Sequence, residues 1–468
     1  MTEPHPDREA LERFLDDELD EPAGRLVQRH LLSCPACEER LIHLLPRPLL
    51  LRPRLSSGSA RVPEEPGDPD RLRLRLAGAG EGLAGRLAAE RLSAGERWEE
   101  LRAESQARRH ALLQEEPRYR TWGLFELLIE KARHAVLTEP QQAEEILHLA
   151  LDLAGRLDAS TYGPEAMETA KARAWAYLGN ALRVRWNFRG AEQAFQAAEK
   201  HLAKSWLDPL DEALLLELEA SLRRAQRRYD EALELLRRAI EVYREVHEPH
   251  LQGRALLAQG LVLQYRQDYE AACASFHASL FLLDGLEDPR LVAIGEFNLV
   301  NCLHESGKTV EAAALLPETR QLMERSGTRS DLVRLLWLEG RIAAVICEAG
   351  QAAAAERALV ETREAWIEIG SAFDAALASL DLAALYARQG RVVEARGLVE
   401  EILPIFRSCK LHGEALAALI VFQQATELEQ LSFGLVEEVA SFLRQVRNNP
   451  GLRFRGGERP PQEGPGLP

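Results

Sequence analysis

Three residues stand at a spacing that suits metal chemistry: His30, Cys34 and Cys37 in HLLSCPAC, which reads H-x3-C-x2-C. On a helix, His30 and Cys34 fall four apart and share a face. Pro35 disfavours helix at Cys34 and suits the first turn of a following helix, so the short Cys-Pro-Ala-Cys turn can aim two thiolates at one point. Zinc takes four nitrogen or sulfur ligands in a tetrahedron, so a fourth ligand must come from elsewhere. His5 is the candidate, at the head of HPDREALERFLDDEL, where Leu11, Phe14, Leu15 and Leu19 make an amphipathic helix. The expected set is one structural Zn2+ on His5, His30, Cys34 and Cys37. The competing reading keeps both cysteines as small core residues and His5 as a frayed end. Against it, a unit of about 45 residues is too small for a self-sufficient core, and a reducing compartment favours metal over disulfide.

The surroundings of this cluster narrow what it can bind. Residues 1–45 hold five arginines against eleven acids, and the whole chain carries a net charge of -16. Phosphate contacts need the opposite sign, so neither the cluster nor the body suits nucleic acid or an anionic membrane. Residues 1–45 therefore read as a protein-binding module. No apolar run approaches the roughly 20 residues of a membrane helix, and no apolar leader follows Met1. The expected location is the cytoplasm. Catalytic signatures such as a phosphate-cradling loop, G-x-S-x-G or H-E-x-x-H are absent from the sequence, and no enzymatic role is expected.

The span His5–Leu41 resembles the zinc-bearing domain of anti-sigma factors. Phe14-Leu15-Asp16-Asp17-Glu18-Leu19 stands for that family's Y-L-D-G-E-L element, and His30-Leu31 with Cys34 and Cys37 for its H-L-x-x-C-x-x-C. His5 takes the place where the family usually has cysteine. The resemblance implies zinc and a sigma factor as partner, blocked from docking on RNA polymerase. It also implies no long-range disulfide switch, because the upstream ligand is histidine.

The rest of the chain is helical and periodic. Ala, Leu, Glu and Arg dominate, which favours helix. Alanines 143, 191, 232, 272, 312, 355 and 395 recur at intervals of 48, 41, 40, 40, 43 and 40. Each opens a pattern with an apolar residue one turn later, as expected for second helices of stacked hairpins. Gly190, Gly307, Gly350 and Gly390 fall between paired helices, where a left-handed terminus is least costly without a side chain. Trp175, Leu178, Gly179, Ala191, Phe195 and Ala198 together resemble a tetratricopeptide repeat, in a variant longer than the usual 34 residues. Cys273, Cys302, Cys347 and Cys409 lie singly in apolar helical patterns and read as buried thiols.

The fold expected is all-α: a small helical zinc-binding domain (1–45), a Pro/Arg/Gly-rich linker (46–82), a connecting helix (83–120), about eight tetratricopeptide-like hairpins in a right-handed superhelix (121–447) and a disordered tail (448–468). In tetratricopeptide arrays the first helices line the groove. One position carried at the array period gives Arg183, Arg224, Gln264 and His304, with Asn180 and Asn301 one turn earlier. These six make a candidate groove for an acidic or carboxylate-bearing peptide, or else the solvated face of each helix. Two functions remain open: a regulator that sequesters a sigma factor through its zinc module, or a general protein-interaction scaffold with a structural zinc.

Overall fold

The computed structural model describes residues 5–6, 27, 30, 81–136, 138–205, 208–346, 351–408, 436 and 439–444. Residues 46–80 of the linker, the tail, Cys347, Cys409 and most of residues 1–45 lie outside that set. Every regular element among the described residues is helical. The chain divides into two compact units, 1–259 and 260–468.

In the first unit α1 (Glu81–Arg102), α2 (Gln106–Glu115) and a short 3-10 turn (Pro117–Tyr119) precede the hairpins. The span 83–120 is thus two helices and a turn rather than one connecting helix. Ser105 explains the break, because its hydroxyl caps α2 by accepting the Arg108 N–H. The hairpins of this unit pair α3 (Trp122–Ala135) with α4 (Pro140–Arg156), α6 (Pro164–Val184) with α7 (Phe188–Leu202), and α8 (Pro209–Ala225) with α9 (Tyr229–Glu245); α5 (Ala159–Tyr162) is a short turn. Helix α10 (Pro249–Tyr265) contains the division between the units. At the head of the array α3 closes on α1 at Gly123, where a Cβ would come within 2.6 Å of the Glu90 and Arg91 backbone. The buried Glu90 carboxylate accepts the Tyr162 hydroxyl at 2.8 Å and the Gly123 N–H at 3.3 Å.

The second unit continues with α11 (Tyr269–Leu282), then pairs α12 (Pro289–Glu305) with α13 (Thr309–Ser326), α14 (Arg329–Ile346) with α15 (Gln351–Ile369), and α16 (Ala372–Arg388) with α17 (Val392–Ser408). Residues 439–444 are helical, and Val439, Ala440 and Leu443 join the core made by α15, α16 and α17. Cys273 and Cys302 are buried thiols.

The periodic alanines occupy the positions that their spacing predicts. All seven are fully buried, and each lies on the second helix of its hairpin. Their small size lets a bulky side chain pass beside them into the first helix. Phe195 lies 3.0 Å from where a Cβ would sit on Gly179, Phe276 2.5 Å from that of Gly260, and Leu359 3.0 Å from that of Gly340. Close helix approach is thus written as a glycine on one helix and a large residue on the other.

The turns differ from expectation. Gly307 (φ 81°) and Gly390 (φ 74°) are left-handed as predicted, whereas Gly350 lies outside the described residues. Gly190 is not the left-handed residue of its turn. It sits in the first turn of α7, donating its N–H to the Asn187 side chain at 3.0 Å, and Trp186 (φ 62°) takes the left-handed position. Arg227 (φ 63°) and Gln267 (φ 66°) do the same in the next two hairpins. The tight connection imposes that backbone whatever the side chain, at a local cost of about 1–2 kcal/mol.

Candidate functional site

Two of the four expected metal ligands are described, and they meet. His5 Nδ1 and His30 Nε2 are 3.1 Å apart, with ring centroids 5.0 Å apart and planes at 88°. Val27 and His30 are helical, and the His30 side chain is buried. Two nitrogens bound at about 2.0–2.1 Å to a tetrahedral zinc would be roughly 3.3 Å apart. The observed separation therefore fits one edge of such a tetrahedron, and neutral imidazole is the right donor. Cys34 and Cys37 lie outside the described residues.

In the first unit Asn180 and Arg183 lie on α6 and Arg224 on α8. Asn180 Oδ1 accepts from Arg183 Nε at 3.0 Å and Nη2 at 2.8 Å. Burial, with the neighbouring charge of Arg224, pushes the Arg183 guanidinium down to about 10. No carboxylate among the described residues pairs with Arg183. Adjacent first helices are stapled nearby. Arg173 Nε on α6 meets Asp211 Oδ1 on α8 at 2.6 Å, and Arg254 on α10 meets Glu217 on α8 at 3.0 Å. Tyr243 donates to the same Glu217 at 3.3 Å, and burial raises its phenol above the usual range. Arg133 lies over the Tyr177 ring at 5.9 Å.

The second unit holds the other three positions. Gln264 is half-buried on α10. Asn301 lines a cavity of about 170 Å³ with Phe297, Arg334, Trp337, Arg341 and Arg444. His304 lines a smaller one of about 60 Å³ with Arg341, Asp381 and Arg444. Burial, then the Arg341 charge, pushes His304 down to about 4, so it is neutral near pH 7. It adds no positive charge to the candidate groove residues. Beside it Arg341 Nη2 donates to Glu305 Oε1 at 2.6 Å, and Trp337 Nε1 to Asp381 Oδ2 at 2.7 Å. Burial alone would raise Glu305, but Arg341 and Arg444 outweigh it and hold the carboxyl at about 2. Sequence reasoning missed these helix-to-helix ion pairs. Their signal was present, since Arg173 and Asp211, Glu217 and Arg254, and Glu305 and Arg341 each lie about one array period apart.

Comparisons with known proteins agree on both parts of the chain. Residues 7–37 match the family described as "Putative zinc-finger", and residues 211–280 match a tetratricopeptide repeat family. The first span includes His30, Cys34 and Cys37, while His5 stands just ahead of it. No curated protein matches the chain. Among solved structures, the apo form of RapI is similar over 78% of this chain and 98% of its own, at 15% identity and a TM-score of 0.52. A Rap protein complexed with competence and sporulation factor matches at 14% identity and a TM-score of 0.44, covering 70% of this chain and 98% of that one. Aspartyl phosphate phosphatase F from Bacillus subtilis matches at 12% identity and a TM-score of 0.44, covering 70% and 94%. The RapI likeness shows a shared helical-repeat fold. The chain joins a short span that matches a zinc-finger family to tetratricopeptide-like repeats. Among the described residues no helix is long and apolar enough to cross a membrane.

Proposed function

We propose that the chain is a cytoplasmic regulatory protein that captures a protein partner, a sigma factor first among them, through its N-terminal zinc module. The repeats serve as sensor or scaffold. One zinc is held by His5, His30, Cys34 and Cys37 and acts as a structural staple for a module too small to fold on its core alone. The observation that carries this reading is the 3.1 Å approach of His5 and His30, 25 residues apart, where His30 lies inside and His5 just ahead of a span that matches a zinc-finger family. The acidity of the module supports a protein partner over nucleic acid. Within the repeats, Asn180, Arg183 and Arg224 offer a face for a partner peptide in the first unit, and Gln264, Asn301 and His304 offer one in the second.

Metal analysis and capture together test the reading. The full chain purified at neutral pH carries one zinc and retains a sigma factor in a pull-down. Cys34→Ser loses both, whereas His5→Ala keeps a weakened metal site with water as fourth ligand. A chain without zinc ends the metal assignment. A zinc-loaded chain that captures other proteins but no sigma factor favours the second reading, an interaction scaffold with a structural zinc, which the repeat fold also supports.

A further inference from the structure

We propose that Asp381 and Trp337 form a guanidinium-binding site in the second unit, that the chain's own Arg444 is its resident occupant, and that an arginine side chain of a protein partner exchanges with it. The inference deepens the interaction reading above and assigns a partner chemistry to this part of the repeats. Arg444 Nη1 donates to Asp381 Oδ1, while Asp381 Oδ2 accepts the Trp337 indole N–H at 2.7 Å. The other cation nearby, Arg341, has its close partner in Glu305 at 2.6 Å and stands 3.8 Å from Asp381. The shortest contacts in the cluster join Glu305 with Arg341 and Asp381 with Arg444, while Arg341 also stands within reach of Asp381 and Arg444 acts on Glu305. Removing the Arg444 side chain leaves one carboxylate, 10% exposed, with an indole N–H and only Arg341, 3.8 Å away and committed to Glu305, as a cation. A buried carboxylate in that state is strongly unfavourable until a cation returns, and a planar guanidinium matches it best.

Three features make exchange feasible. Burial lowers the Arg444 guanidinium, Asp381 and more weakly Glu305 oppose it, and the like charge of Arg341 adds to it, so the resident cation is held below the usual arginine range. Cavities of about 60 and 170 Å³ both border Arg444, and exposed Val345 and Arg388 line the first, so a second side chain has a path from solvent. Finally, the turn that carries Arg444 is anchored independently by Val439, Ala440 and Leu443 in the core. The side chain can leave without unfolding its backbone.

The test uses the full chain and N-acetyl-arginine amide as probe, read by isothermal titration. Arg444→Ala is expected to bind the probe at least tenfold more tightly than the unsubstituted chain, and to ignore the neutral N-acetyl-citrulline amide. Adding Asp381→Asn should abolish that gain. If Arg444→Ala loses its cooperative melt, Arg444→Gln, which keeps the aliphatic stem but lacks the charged guanidinium, takes its place with the same expectations. A variant with native helicity that binds the arginine probe no better than the parent, or binds citrulline equally, overturns the proposal. Zinc content and sigma-factor capture are read separately, so failure here leaves the N-terminal assignment standing or falling on its own result.

Discussion

At Gly260 the missing side chain is what lets Phe276 in. A Cβ there would meet the ring at 2.5 Å, and an aromatic ring wedged between helices cannot bend away as a flexible side chain would. Gly260→Ala is therefore expected to destabilise by about 1–3 kcal/mol, although alanine is the better helix former. Pairing it with Phe276→Leu should recover part of the loss in a urea-melt double-mutant cycle. The equivalent hairpin already carries that combination, with Ala220 and Leu236. At Arg227 the opposite substitution helps. Its φ of 63° strains a side-chain-bearing residue, so Arg227→Gly should stabilise by about 0.5–1 kcal/mol, the relief of strain exceeding the added freedom of the unfolded chain. A lower urea midpoint for Arg227→Gly would contradict this.

The elements were legible in proportion to how local their causes are. Alanine spacing located every second helix, because a small residue at a helix crossing is required whatever else surrounds it. Prolines 140, 164, 209, 249 and 289 each open a helix, in the first turn where a missing N–H costs nothing. Glycine was a poorer guide to the turns, since Trp186 and Gln267 accept the left-handed backbone that the tight connection demands. Of the candidate sites, the His5–His30 encounter could be read from motif spacing, whereas the Asp381–Arg444 pair joins residues with no shared period or motif. At the element scale, α6 and α8 bring Arg183 and Arg224 close enough for one charge to depress the other. The double substitution Arg183→Glu and Arg224→Glu should abolish partner capture while circular dichroism and melting temperature stay nearly unchanged, because the cations already repel one another. Capture that survives the reversal would move recognition away from this face.

For the whole molecule, acid should act in two stages, both readable as melting temperature against pH. His277 and His304 are half-buried and held at about 4, below the usual 6.5. The unfolded chain takes up their protons first, so the stability they confer is complete above about 6.5 and is lost as pH falls towards 4. Glu305, held at about 2 against a usual 4.5, adds stability that is present above about 4.5 and disappears towards pH 2. Decline should thus begin above the range in which carboxylates titrate, and His304→Gln should remove part of the upper stage, worth a few kcal/mol. A melting temperature flat from pH 7 to 5 would contradict the lowered values of both histidines.

The repeat spacing also bears on how the protein comes into being on the ribosome. Each first-helix ion pair joins residues only about 40 positions apart, as do Arg173 with Asp211 and Arg254 with Glu217. Such a partner emerges within roughly 2–8 s of translation, whereas helical units with local contacts fold in microseconds to milliseconds. Each hairpin can therefore close on its predecessor long before its successor has been synthesised. The order of birth becomes the order of assembly. Arg444 must reach back 63 residues to Asp381, so that carboxylate waits longer for its partner than Asp211 or Glu217 does.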